Sequence, residues 1–128
     1  MRIVLDTHAF LWAASDDRRL SPRAREIVDD PDSELLLSAA SAYQIGVKVA
    51  RGKLQLPDDT GSYLRTRMAA FGMRPLPVTV EHAVAAAALP RFHSDPWDRL
   101  LVAQARCESI PILTADQLVR RYEVETIW

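Results

Sequence analysis

A chain of 128 residues with an apolar fraction of 48% buries a core without staples, and its charged fraction of 26% is that of an ordinary globular protein. Its 16 basic and 17 acidic residues leave a net charge of -1, which argues against a protein that coats nucleic acid through bulk positive charge. The single cysteine, Cys107, excludes an internal disulfide and a thiolate zinc site within one chain.

The first element is the run Ile3-Val4-Leu5, which ends at Asp6 and predicts a buried strand. It is too short for a signal peptide or a membrane span, as is the alanine-rich run between His82 and Pro90; a cytoplasmic location is expected. Residues 7–14 contain no Gly or Pro, so a helix starts at once. Ser21 before Pro22 is an N-cap signature, with Ala24, Ile27 and Val28 on one helical face. Residues 33–39 predict a second apolar strand, and residues 41–52 a helix ending near Gly52. The stretch 52–61 reads as a connection rather than a domain boundary. Residues 58–72 predict a helix with Leu64, Met68 and Phe71 in one stripe and Gly72 past its end. A short extended segment at 74–78 precedes a helix over 79–90, stopped by Pro90. Another helix is expected over 95–109, where Cys107 reads as a small hydrophobe rather than a reactive thiol. Residues 110–116 predict a strand ending at Asp116, residues 115–122 a helical turn, and residues 124–128 a last strand.

Strands and helices alternate, and the strand runs lack polar alternation, as strands covered on both faces do. The expected architecture is α/β, one domain over residues 1–128, with a mostly parallel sheet of about five strands flanked by helices. In such sheets ligands bind outside the carboxyl ends of the strands. Asp6 ends the first strand and Asp116 closely follows the strand at 110–113. Each acid alone reads as the cap of the next helix. As a pair, joined by Asp98 near the start of its helix, they converge as carboxylates that repel one another. A hard divalent cation resolves that repulsion, and oxygen ligands without Cys or paired His suit Mg²⁺ or Mn²⁺. Asp95 before Pro96 fits the N-cap, which leaves Asp98 one turn inside and aimed at the metal.

The stretches IVLDTHAFLW, SAASAYQIGVKVARGKLQLP, LPRFHSDPWDRLLVAQA and ILTAD together resemble the PIN-domain toxins of VapBC toxin–antitoxin modules. The resemblance runs in order along nearly the whole chain. It implies a Rossmann-like sheet, a Mg²⁺-dependent endoribonuclease in which Mn²⁺ substitutes, a cognate VapB-like antitoxin and a homodimer. It places the metal acids at Asp6, Asp98 and Asp116, with Gln44 at a fourth catalytic position and Thr114 as the hydroxyl before the last acid. The family has Glu where this chain has Gln44. Three readings stay open. The site binds metal more weakly but still cuts, another acid such as Asp95 substitutes, or the domain binds antitoxin or RNA without cutting.

Arg99, Lys48, Arg51 and Lys53 are candidate phosphate contacts, although charges at a helix end also serve the helix dipole. His93 is a candidate for touching RNA or a leaving group. Ser38 and Ser41 are expected to cap or brace the helix carrying Gln44. Packing is the expected role of Trp12, Trp97 and Trp128. Phe10, Leu11 and Trp12 would suit an interface if exposed. A haloacid-dehalogenase-like phosphatase is a poor fit, because position 8 is His where a second Asp is needed.

Overall fold

Strand alternation sets the layers. The computed structural model describes residues 1–128. In β1 (Arg2–Leu5), Ile3 and Leu5 point to one side and Val4 to the other, and all three are fully buried. β1 is therefore the covered centre of a sheet. The chain continues through α1 (Thr7–Ala14), α2 (Pro22–Asp29), β2 (Glu34–Ser38), α3 (Ala39–Ala50), α4 (Thr60–Ala70), β3 (Arg74–Leu76) and α5 (Val80–Ala87). It ends with α6 (Pro96–Glu108), β4 (Ile112–Leu113), a short 3-10 turn (Val119–Arg121) and β5 (Thr126–Ile127).

The five strands are all parallel, in the order β3-β2-β1-β4-β5. Ile3, Leu5, Leu35, Leu37 and Leu113 pack with Phe10, Ala24 and Ile45 on one face. Val4, Leu36 and Ile112 pack with Ala86, Leu101 and Val102 on the other. Two apolar layers thus sandwich the sheet, as the unalternating strand runs predict. β4 and β5 are shorter than the sequence suggests, two residues each. Strand order reverses between β1 and β4, the place where an open parallel sheet presents its carboxyl ends to ligands.

The caps follow the sequence. Ser21 accepts from Ala24 N–H, with Pro22 at the first helical position. Asp59 caps α4, and Thr79 with His82 forms a capping box on α5. Gly52 and Gly72 end their helices with positive φ. Buried Gln104 ties the layers together: its Oε1 accepts from Ser38, and its amide N–H reaches Pro77 O at 3.1 Å.

Arg99 corrects an expectation. Its guanidinium donates to the carbonyls of Ala86, Leu89 and Pro90 at 2.9–3.0 Å, at the C-terminal end of α5. The side chain is a helix-end tie: Leu89 O has no backbone donor of its own, and Arg99 supplies a donor there while adding a second one to Ala86 O and Pro90 O. Arg99→Met is expected to lower stability by roughly 2 kcal/mol through the loss of charge-assisted bonds. Urea unfolding checks this: the midpoint falls at an unchanged slope. An unmoved midpoint would mean that the tie carries no stability. Phe10 corrects another expectation. It is 0% exposed, so it serves the core and not an interface, and Leu11 and Trp12 are partly buried against that core. Large apolar exposure lies instead at Val80, Val84 and Tyr43. No helix is long and apolar enough to cross a membrane.

Candidate metal centre

Three strands' connections deliver the acids to one edge. Asp6 leaves β1 directly, and its N–H donates to Leu113 O at 3.1 Å, beside β4. Its Oδ1 accepts from Ala9 N–H at 2.8 Å, which caps α1. Its Oδ2 accepts from the Thr114 hydroxyl. Thr114 also accepts from Asp116 N–H at 3.0 Å, so this buried hydroxyl links the acids after β1 and β4.

Asp95 is the N-cap of α6 and accepts from Trp97 N–H at 2.8 Å. Asp98 then stands in the first turn. Its Oδ2 lies 3.1 Å from His93 Nε2, and the same nitrogen lies 3.1 Å from Asp116 Oδ2. The ligand atoms of His93, Asp98 and Asp116 all fall within 4.8 Å of one another. Carboxylate oxygens at this spacing are the hard donors that a small divalent cation takes, so the residues fit such an ion. Asp6 is outside this group, a departure from the expected trio of free acids. Both its oxygens are already hydrogen-bonded, although each keeps a second lone pair.

Electrostatics agrees with geometry. Burial pushes the Asp98 carboxyl up to about 7, helped by the charges of Asp95, Asp116 and Asp6, while His93 opposes the rise. Burial also raises Asp6, against the hydrogen bonds from Thr114 and Ala9. A cation relieves this crowding. The metal-free protein should therefore respond to pH with a definite sign. The folded chain holds a proton on Asp98 that the unfolded chain releases near its ordinary value. That contribution is fully present below pH about 4 and is lost as pH rises through about 7. Thermal melting of the chelated protein and of Asp98→Asn checks this. The Asn variant should gain on the parent between about pH 4 and pH 7 and keep that gain above it, and parallel profiles would contradict the assignment.

Gln44 projects from α3, and its Oε1 accepts from the Thr7 hydroxyl at 2.5 Å, next in sequence to Asp6. Ser38 caps α3 through Ala40 N–H at 3.0 Å, and Ser41 is buried in the first turn. Tyr43 packs on Trp97 at 4.9 Å between ring centres, joining the turn that carries Gln44 to the turn that carries Asp98. Trp12 packs edge-on against Trp128, and His8 lies 5.5 Å from Trp12. Lys48 and Lys53 line a cleft of about 350 Å³ with His8, Trp12 and Arg19. Arg51 is exposed at the C-cap of α3 and does not line that cleft.

Two residues escaped the sequence reading: Thr7, which fixes Gln44, and Tyr122, which receives His93 N–H at 2.9 Å. His93, a candidate for touching RNA or a leaving group, lies 3.1 Å from both acids. The one sequence signal for His93 is its place two residues before the cap Asp95.

The family model described as PIN domain matches residues 3–125. The chain belongs to the PIN-domain family. Within it, the chain is similar to Ribonuclease VapC22 of Mycobacterium tuberculosis, at 29% identity over 130 residues covering 98% of each protein. Ribonuclease VapC16 of the same organism is 44% identical over 59 residues, 46% of this chain and 40% of that one. Among solved structures, VapBC2 from Rickettsia felis bound to a promoter DNA fragment superposes with a TM-score of 0.73 at 11% identity, over 99% of this chain and 98% of that one. A toxin–antitoxin complex from Klebsiella pneumoniae gives 0.69 at 15% identity, over 98% and 96%. These structures share the PIN fold. The acids of this PIN domain stand at the strand-order reversal, where an open parallel sheet places its chemistry.

Proposed function

We propose that the chain is a divalent-metal-dependent endoribonuclease and the toxin member of a toxin–antitoxin pair. The observation that carries this reading is the convergence of Asp98, Asp116 and His93 at the switch point of a PIN-domain sheet. Similarity over nearly the full length to a protein named a ribonuclease supports the substrate class. The toxin–antitoxin complexes among the structural neighbours support a VapB-like antitoxin as partner, and a homodimer belongs to the same reading.

Asp98 and Asp116 would hold the ion, Mg²⁺ with Mn²⁺ as substitute, and Asp6 adds a third charge through its remaining lone pairs. When bound, the cation supplies Lewis acidity, lowering the pKa of water and offsetting charge on phosphoryl oxygens. Thr114 holds Asp6 and Asp116 in register. Gln44 uses its amide N–H to orient substrate or water, since its carbonyl is engaged by Thr7. Lys48 and Lys53 offer point charges to flanking phosphates along their cleft.

A second reading has one observation in its favour. Gln44 brings no charge to the site, and its Oε1 is taken by Thr7, so α3 supplies no anionic ligand. A PIN domain that binds antitoxin or RNA without cutting has that character. End-group analysis of RNA treated with the protein and Mg²⁺ separates the possibilities. Water attack leaves a hydroxyl on the upstream fragment and a phosphate on the downstream one. Cyclic phosphate ends would overturn the proposed chemistry, and uncut RNA would favour the binding module.

A further inference from the structure

His93 sits within the candidate ligand group, yet its hydrogen bonds give it a different task. Its Nδ1 accepts from Asp95 N–H at 3.1 Å. A neutral imidazole that accepts at Nδ1 carries its hydrogen on Nε2. That hydrogen points at Asp116 Oδ2, 3.1 Å from the nitrogen, and Asp98 Oδ2 lies at the same distance beside it as an ion-pair neighbour. A metal-ligating histidine has the opposite arrangement, with a bare ligating nitrogen and a hydrogen donated from the other one. The backbone of Asp95 prevents this tautomer, because its N–H already points at Nδ1.

The loop fixes the ring independently of the acids. His93 N–H donates to the Tyr122 hydroxyl at 2.9 Å, and that hydroxyl donates to Pro90 O at 2.9 Å. Arg99 ties Leu89 O and Pro90 O from α6. The acids also leave one oxygen for this purpose. Asp116 Oδ1 accepts from Leu118 N–H at 2.8 Å, so Oδ2 is the oxygen that faces the site, and His93 meets that one. A carboxylate oxygen has two lone pairs, so it can accept from His93 and still ligate an ion.

We propose that His93 is a positioning residue that donates its Nε2–H to Asp116 with Asp98 held beside the same nitrogen, and so keeps the two carboxylates at ligating separation without itself touching the ion. This rests on the reading of the acids as a metal centre. In a chain with Gln44 in place of a fourth charge, the placement of the remaining acids matters more.

The experiment is Mn²⁺ titration by calorimetry on the parent, His93→Ala, His93→Gln and Asp98→Asn, with nitrogen NMR of the His93 ring in the parent with and without Mg²⁺. His93→Ala should weaken Mn²⁺ binding roughly 10–100-fold, the range for loss of an outer hydrogen bond to a metal ligand. His93→Gln, which keeps an N–H donor, should recover part of that loss. Nε2 should keep its hydrogen when Mg²⁺ is present, a reading that needs no variant to fold. Mn²⁺ binding by His93→Ala as tight as the parent overturns the proposal and leaves the metal centre standing. Loss of the Nε2 hydrogen on Mg²⁺ addition also overturns it, making His93 a ligand. A parent that binds no Mn²⁺, like Asp98→Asn, removes the metal centre and His93's role together.

Discussion

Asp98→Asn should lower RNA cleavage by at least about a hundredfold, the scale of removing one preorganised electrostatic group from an active site. The side chain keeps its size and the first turn of α6 keeps its cap, because Asp95 accepts the helix N–H groups. What disappears is a carboxylate facing Asp116 across the His93 ring. The variant should fold, and at neutral pH it should melt higher than the metal-free parent, since the parent charge is crowded by burial and by Asp95. Activity and stability thus move in opposite directions, as expected of a strained site. Cleavage rates and melting curves on the same preparations check both. A variant that loses activity by unfolding would show the contrary melting shift.

Gln44→Glu should raise Mg²⁺-dependent cleavage by about tenfold or more, and tighten Mg²⁺ binding with it. The Thr7 hydroxyl that now donates to Gln44 Oε1 would donate equally well to one oxygen of a Glu. The second oxygen would then carry charge toward the site beside Asp6. The same change adds repulsion, so the metal-free variant should be less stable than the parent and regain more on Mg²⁺ addition. Rates measured over a Mg²⁺ series separate affinity from turnover. Unchanged rates and unchanged Mg²⁺ affinity would mean that position 44 does not act on the site. If only the Glu variant cuts, the native chain is a binding module on a nuclease fold.

The central architecture was legible because local and global signals agree. Ile3-Val4-Leu5 reads as a covered strand, and the Ser21-Pro22 and Asp95-Pro96 pairs announce helix starts. The placement of Asp6, Asp98 and Asp116 at one edge follows from an alternating α/β order. The side-chain partners were not legible. Asp6 meets Thr114 across 108 positions, and His93 meets Asp116 across 23, distances that no periodicity reports. Arg99 looked like a free cation beside an acid, but α5 ends against it and offers it the Ala86 and Leu89 carbonyls. Phe10 looked like an interface residue because Leu11 and Trp12 extend its apolar run, but it lies on the inward face of α1. β4 counts two residues, and Thr114 just past it still donates its N–H to Ile127 O at 3.1 Å while its hydroxyl serves the acids.

The most direct test is cleavage of total cellular RNA by the purified chain, free of any antitoxin, with Mg²⁺, with Mn²⁺ and with a chelator, beside Asp98→Asn. Cutting by the parent that needs either ion, stops in chelator and is lost in the variant is the predicted result. Cutting that persists in chelator, or that survives Asp98→Asn, would contradict a divalent-cation centre built on Asp98 and Asp116.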